Sequence, residues 1–289
     1  MTAHVFPWYG IQMSEPNTTP DATPPVNPVI SVLTGTEPVV RWLLPDFVAQ
    51  GSLILWAGEP GSGKSYACYT LGLACAAGVP LLGYAPGRPL RVLYFDQENS
   101  RPDRDQYLRW AWNGLGRPSL ERIAQNFWTQ HFTLGTADWA QRASHAVQQT
   151  QPDLIFVDTA SPACAILDEN DNGIATQTVN KLRAIMNVVP YTAAMIVLKH
   201  SRIITEDGPQ GGQEPRRAIR GAKAWAGMSD AVWFHVKGFG TGVRDDGLSP
   251  TYITPAKTRA FGLRRTIRID PQWVNRHVSG EGIRLNMAR

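Results

Sequence analysis

Cysteine is scarce in this chain: Cys68, Cys75 and Cys164 are the only three, and no Cys-x-x-Cys pair exists. That excludes a disulfide framework and suits a reduced, cytoplasmic protein in which Cys68 and Cys75 fill small apolar core positions. The amino terminus, MTAHVFPWYG, lacks the basic start and apolar run of a signal peptide. Charge is missing altogether from residues 65–87, a stretch that imitates a membrane span but is broken by Gly78 and Pro80. A buried helix followed by a turn is the better reading, so no membrane partner is expected. Internal repeats are absent as well. A hydrophobic content of 43% with 18% charged residues describes a globular protein rather than a disordered one.

What is present is unevenly spread. Residues 199–289 hold 16 Lys and Arg against 8 Asp and Glu, whereas the rest of the chain is acidic on balance. A basic carboxy-terminal third suits nucleic-acid phosphates, ATP phosphates from a neighbouring subunit, or both; a solvated basic surface is the plain alternative. Seven prolines fall within the first 38 residues, so residues 1–36 read as a flexible arm and residues 37–289 as one domain. The aromatic patch VFPWYGI in that arm could dock on a neighbouring subunit or be incidental.

From residue 37 onward, strand-like and helix-like segments alternate, the signature of an α/β fold with a mainly parallel twisted sheet flanked by helices. Strands are expected at 52–57, 91–96, 153–158 and 193–198, and helices at 64–77, 104–116, 137–150 and 177–188. Three further strands, 231–236, 251–255 and 264–269, close the sheet. Between them, residues 201–219 form a Gly- and Pro-rich stretch too long for an ordinary connection.

The stretch Gly58-Glu59-Pro60-Gly61-Ser62-Gly63-Lys64-Ser65, followed by Tyr66, fits G-x-x-x-x-G-K-[ST] between an expected strand and an expected helix. Its backbone N–H groups would cradle the phosphates of ATP, Lys64 would reach the β- and γ-phosphates, and Ser65 would ligate Mg2+. Asp158 ends the apolar strand LIFVD, where a second magnesium-side carboxylate is expected; capping the next turn is the other reading. Glu98, in YFDQEN, should emerge at the carboxyl edge of the sheet, to activate the attacking water or to cap the helix that follows. Asp96 stands nearer the strand and could be a structural partner instead.

A glutamate after the strand next to the phosphate-loop strand, with a later Asp, resembles the RecA-like P-loop NTPases. Closest in pattern are the hexameric replicative helicases of the DnaB and plasmid RepA type. VVRWLLPDFVAQGSLILWAGEPGSGKS, VDTASPACAILDENDNG, MIVLKHSR, AIRGAKAWAGMSDAVW and PAKTRAFG carry the likeness, which runs from about residue 37 to 270. The resemblance implies that His200 senses the γ-phosphate and that Lys257 and Arg259 act as fingers in a neighbour's ATP site. It therefore implies a homo-oligomer, a hexameric ring. The short arm, in place of a large helical amino-terminal domain, favours the compact RepA-like form.

The same resemblance points loops 160–173 and 201–219 at a central channel and single-stranded DNA. Arg202, Arg216, Arg217 and Arg220 could contact DNA phosphates without reading sequence, although the second loop has no aromatic residue for base stacking. The first loop is acidic at Asp168, Glu169 and Asp171 and would instead line a subunit contact. The expected function is thus an oligomeric ATP-hydrolysing motor on single-stranded DNA. A RecA-like ATPase that uses ATP to assemble or switch is the alternative. A small-molecule kinase with residues 201–219 as lid is a third, against which Glu98 and the Lys-x-Arg strand speak.

Overall fold

Leu53-Ile54-Leu55-Trp56-Ala57 has no polar side chain on either face, the pattern of a strand covered on both sides. In the computed structural model it is β3 (Leu53–Gly58), and every residue of it is buried. The structure describes residues 40–131, 136–189, 192–201, 223–237, 246–259, 262–275 and 281–287. Ahead of β3, a two-stranded ribbon pairs β1 (Trp42–Leu44) with β2 (Val48–Ala49).

The remaining strands are β4 (Val92–Asp96), β5 (Phe127–Gln130), β6 (Leu154–Asp158), β7 (Ala194–His200), β8 (Ala231–Lys237), β9 (Thr251–Thr258), β10 (Ile267–Val274) and β11 (Gly282–Met287). With β3 they form one nine-stranded sheet in the order β11-β10-β9-β8-β3-β7-β6-β4-β5. Pairing is parallel from β8 through β5 and antiparallel from β8 out to β11. This is the mainly parallel α/β architecture that the alternating segments predict.

One expectation needs correction. The strand that precedes Glu98, β4, is not next to the phosphate-loop strand: β7 and β6 lie between them. Those two strands come later in the chain, and β4, as fully buried as they are, lies beyond them, so an apolar run marks a central strand without fixing its neighbours. The less buried β5 is left at the edge.

Alternation along β3 divides the core in two. Ile54 and Trp56 face one cluster, with Tyr69 and Leu71 of the helix Lys64–Ala77 and with Tyr94, Phe156 and Trp233. Leu53, Leu55 and Ala57 face the other, beneath the helices Trp139–Thr150 and Asn172–Met186. The helix Lys64–Ala77 takes up most of the uncharged run and stops at Gly78, whose φ of 72° is a left-handed cap. Among the described residues no helix is long and apolar enough to cross a membrane.

The antiparallel strands reach the helix Arg101–Gly114, and the contact depends on two glycines. A Cβ on Gly114 would lie 2.0 Å from the Ile283 carbonyl oxygen, and one on Gly282 would lie 2.5 Å from Asn113 Cβ. Asn113 Nδ2 donates to the Glu281 carbonyl at 2.7 Å, and Trp110 meets Trp273 edge-on at 5.3 Å. Gly114→Ala should therefore separate β11 from the helix and lower the melting temperature by several degrees, the fate of overpacked contacts. A thermal melt within one degree of wild type would contradict that packing.

Candidate nucleotide site

The phosphate loop connects β3 to the helix Lys64–Ala77, and its glycines have separate reasons. Gly58 has no room for a side chain, since a Cβ would come 2.5 Å from the His235 carbonyl oxygen; Gly61 and Gly63 adopt φ of +69° and +92°. Gly63 caps the helix with no side-chain acceptor, so the first-turn N–H groups remain available to an anion. Lys64 is buried and donates from Nζ to the carbonyls of Gly58 at 2.9 Å and Glu59 at 2.8 Å. Burial lowers its pKa, an effect that nearby Glu98 and Asp158 oppose.

Across the loop, β4 and β6 end at the same level, with Asp96 paired to Asp158 in register. Asp158 is fully buried, and burial raises its pKa to about 7, with the Asp96 carboxylate pushing the same way. Its Oδ2 accepts from Tyr94 Oη at 2.8 Å and Asn99 Nδ2 at 3.4 Å. Its Oδ1 is buried and has no hydrogen-bond partner among the described residues. The Ser65 hydroxyl is close enough to pull that pKa back down.

Asp96 serves the loop that follows it. Its carboxylate accepts from the backbone N–H groups of Glu98 at 3.1 Å and Asn99 at 3.0 Å, and from Tyr69 Oη. Tyr69 and Tyr94 stack with centroids 4.1 Å apart, one tyrosine for each carboxylate. Tyr69, Tyr94 and Asn99 were not singled out from sequence. Their signals were spacing: Tyr69 lies one helical turn beyond Ser65, and Tyr94 shares a strand face with Asp96.

Glu98 projects toward β7, where its Oε1 lies 3.2 Å from His200 Nε2. The His200 contact, aided by Thr159, holds the Glu98 pKa below the usual carboxylate range against desolvation. Asn99 and Ser100, rather than Glu98, connect to the next helix: Ser100 caps it by accepting from Asp103 N. His200 and Glu98 thus stand together at the carboxyl edge, on the Asp158 side of the loop.

The neighbouring Lys199 is 1% exposed. Its Nζ lies 3.5 Å from Glu169 Oε2 and 5.1 Å from the centre of the Trp225 ring. The acidic segment is engaged within its own chain. Glu169 holds Lys199, Asp168 accepts from Asn170 N at 2.8 Å, and Asp171 caps the helix Asn172–Met186. A buried lysine demands such a partner.

Lys257 and Arg259 lie elsewhere. Lys257 pairs with Val232 near the start of β8, whereas Gly58 pairs with His235 toward its far end. Those levels are separated by about 10 Å of strand. Lys257 Nζ donates to the carbonyls of Ala226, Gly227 and Ser229 at 2.6–2.8 Å, which occupies all three of its N–H donors. Arg259, about half exposed, donates to the Gly227 carbonyl at 3.0 Å and lies 3.5 Å from Asp230. Arg202, Arg216, Arg217 and Arg220 lie outside the described residues.

With this geometry in view, comparison with known proteins decides the family. The AAA domain profile matches residues 20–203, well over half of the chain. The chain belongs to the AAA domain family. The matched span takes in the phosphate loop, Glu98, Asp158 and His200, and ends before Lys257 and Arg259. Among solved structures, a KaiC-like protein of the hyperthermophilic archaeon Pyrococcus horikoshii superposes with a TM-score of 0.55 at 12% identity, over 84% of this chain and 93% of that one. This likeness shows a shared RecA-like fold. No curated protein sequence matches. Family and fold together make this AAA domain protein a P-loop ATPase of the RecA-like type.

Two outcomes are expected here. Lys64→Ala should reduce ATP turnover at least about 100-fold by removing the cation aimed at developing phosphate charge; wild-type hydrolysis in that variant would contradict the site. Asp158 concerns stability. Its folded pKa, about 7, stands above the ordinary aspartate value of 3.8, so its protonated form favours the folded chain at low pH. That contribution is lost as pH rises through 7. Asp158→Asn cannot ionise, so the ligand-free variant should melt several degrees above wild type at pH 8 and closer to it at pH 5. A pH-independent difference would contradict the raised pKa.

Proposed function

We propose that this chain is an oligomeric ATP-hydrolysing motor acting on single-stranded DNA, of the RepA/DnaB replicative-helicase type. The observation that carries the reading is the division of the groups between two ends of the sheet. Lys64, Ser65, Asp158, Glu98 and His200 gather at the carboxyl edge. Arg259 emerges toward the other edge, beyond β9, with its backbone N–H on the Asp230 carbonyl ahead of β8. It serves an ATP site best on a second copy of the chain. Repetition of such a heterologous contact closes a ring, read here as a hexamer.

Within one chain, Glu98 is a carboxylate at neutral pH and accepts the proton of the attacking water, while His200 fixes its direction. Lys64 exchanges the Gly58 and Glu59 carbonyls for phosphate oxygens. The Ser65 hydroxyl and the Oδ1 of Asp158, which has no partner among the described residues, would hold a magnesium ion, which when bound would neutralise charge on the phosphates. An arginine from the next copy then stabilises the leaving γ-phosphoryl group, worth about 10³–10⁵ in rate where such fingers operate. The basic carboxy-terminal third, including Arg202, Arg216, Arg217 and Arg220, supports contact with DNA phosphates.

A second reading is an ATP-dependent assembly switch without unwinding. The docking of Lys257 and Arg259 on their own chain's carbonyls favours it, because their release would couple nucleotide state to association. ATP turnover with and without single-stranded DNA, beside gel filtration, separates the two. A motor is stimulated by DNA in a salt-sensitive way; a switch changes size with little stimulation.

The shared site is tested by mixing. Arg259→Ala and Glu98→Gln protomers should each be inactive alone and regain part of the activity when co-assembled, because some interfaces then pair an intact finger with an intact base. No recovery at any ratio, with mixed assembly verified, would contradict fingers in trans.

A further inference from the structure

The phosphate loop has a second flank, away from Asp158, and a buried histidine stands there that the chemistry above leaves unused. His235 sits on β8 at the level of Gly58, two residues beyond the core residue Trp233 and so on the same face. It is 1% exposed and stacks on Trp56 with centroids 5.8 Å apart. Neither Nδ1 nor Nε2 has a hydrogen-bond partner among the described residues. A buried polar atom left in this way destabilises the fold, and native interiors rarely carry two on one ring.

His235 is one of the residues around a cleft of about 240 Å³ that opens beside Gly61, Ser62 and Gly63. Its walls are aromatic at Tyr66, Tyr107 and Trp110 and polar at His235, Lys237 and Ser249. Tyr66 directly follows the Lys64-Ser65 pair. With phosphates on the loop, this adjoining cleft is the space open to the sugar and base of a nucleotide.

Burial, with the Lys64 charge nearby, holds the His235 pKa down at about 3. The neutral ring then has one N–H donor and one bare nitrogen acceptor. A hydroxyl, which both accepts and donates, matches it better than a phosphate, which only accepts, or an aromatic base edge packed among tyrosines.

We propose that His235 is a specificity residue that hydrogen-bonds the ribose 2′-hydroxyl of the bound nucleoside triphosphate, so that the site distinguishes ribonucleotides from 2′-deoxyribonucleotides. The proposal rests on the nucleotide reading of the phosphate loop. A site built to hydrogen-bond a hydroxyl rejects the analogue lacking it, because its own polar group is left unpaired.

The test measures affinity and kcat/KM for ATP and 2′-deoxy-ATP in wild type and in His235→Phe, which keeps the stacking on Trp56. Wild type should prefer ATP by about tenfold or more. His235→Phe should bring the two within about twofold, by weakening ATP and leaving 2′-deoxy-ATP unchanged or improved. Should the Phe variant fail to fold, His235→Gln, with its amide at a different reach, should cut the preference at least about threefold. A wild type that treats both nucleotides alike, or an unchanged preference in whichever variant folds, overturns the His235 assignment and leaves the phosphate loop standing. A wild type that binds neither nucleotide overturns both.

Discussion

Asp96 and Asp158 stand at the same level on adjacent parallel strands, both buried, and the cost of two carboxylates in a protein interior governs what surrounds them. Asp96 is surrounded by donors: two backbone N–H groups, the Asn99 amide and a tyrosine hydroxyl. Asp158 has fewer, and one of its oxygens has none among the described residues. The asymmetry assigns them different work. The satisfied carboxylate shapes the turn that aims Glu98 at His200. The unsatisfied one, raised to about 7, is stored in a form that a bound cation would improve.

The phosphate loop lies between this acidic flank and the cleft that contains His235. Its two sides are built from different parts of the chain. The acidic flank uses strands ordered by parallel pairing around β3. The cleft uses Tyr107 and Trp110 from a helix, with β8 and the strands after it. Gly114 and Gly282 let that helix and β11 touch, so a packing contact far from the phosphates shapes one wall of the nucleotide site.

Much of this was legible in the residues. The helix after the phosphate loop falls on residues 64–77 as expected, because glycine punctuates both of its ends. The apolar runs mark β3, β4, β6 and β7. Sheet order was less legible, since alternation reveals which segments are strands and not which become neighbours. β5 is too short and too polar to stand out, and β11 lies in a tail without a motif. β10 runs on through Pro271, which reads as a breaker; beyond Ile269 that strand no longer pairs with β9, and a proline is tolerated there. Glu98 was legible from its place after a strand and His200 from family likeness, whereas their contact, the Tyr69–Tyr94 stack and the Lys199–Glu169 pair depend on tertiary neighbours that no local pattern announces.

The central claim is that ATP is cleaved at a seam between copies, with base and phosphate loop from one and arginine from the next. Among the described residues, β8 and β9 hold Arg259 apart from its own phosphate loop. The most direct measurement is specific ATPase activity against protein concentration, with association state followed by light scattering in the same samples. The account predicts that turnover per chain falls toward zero as the assembly dissociates. Full turnover per chain in a verified monomer would contradict it.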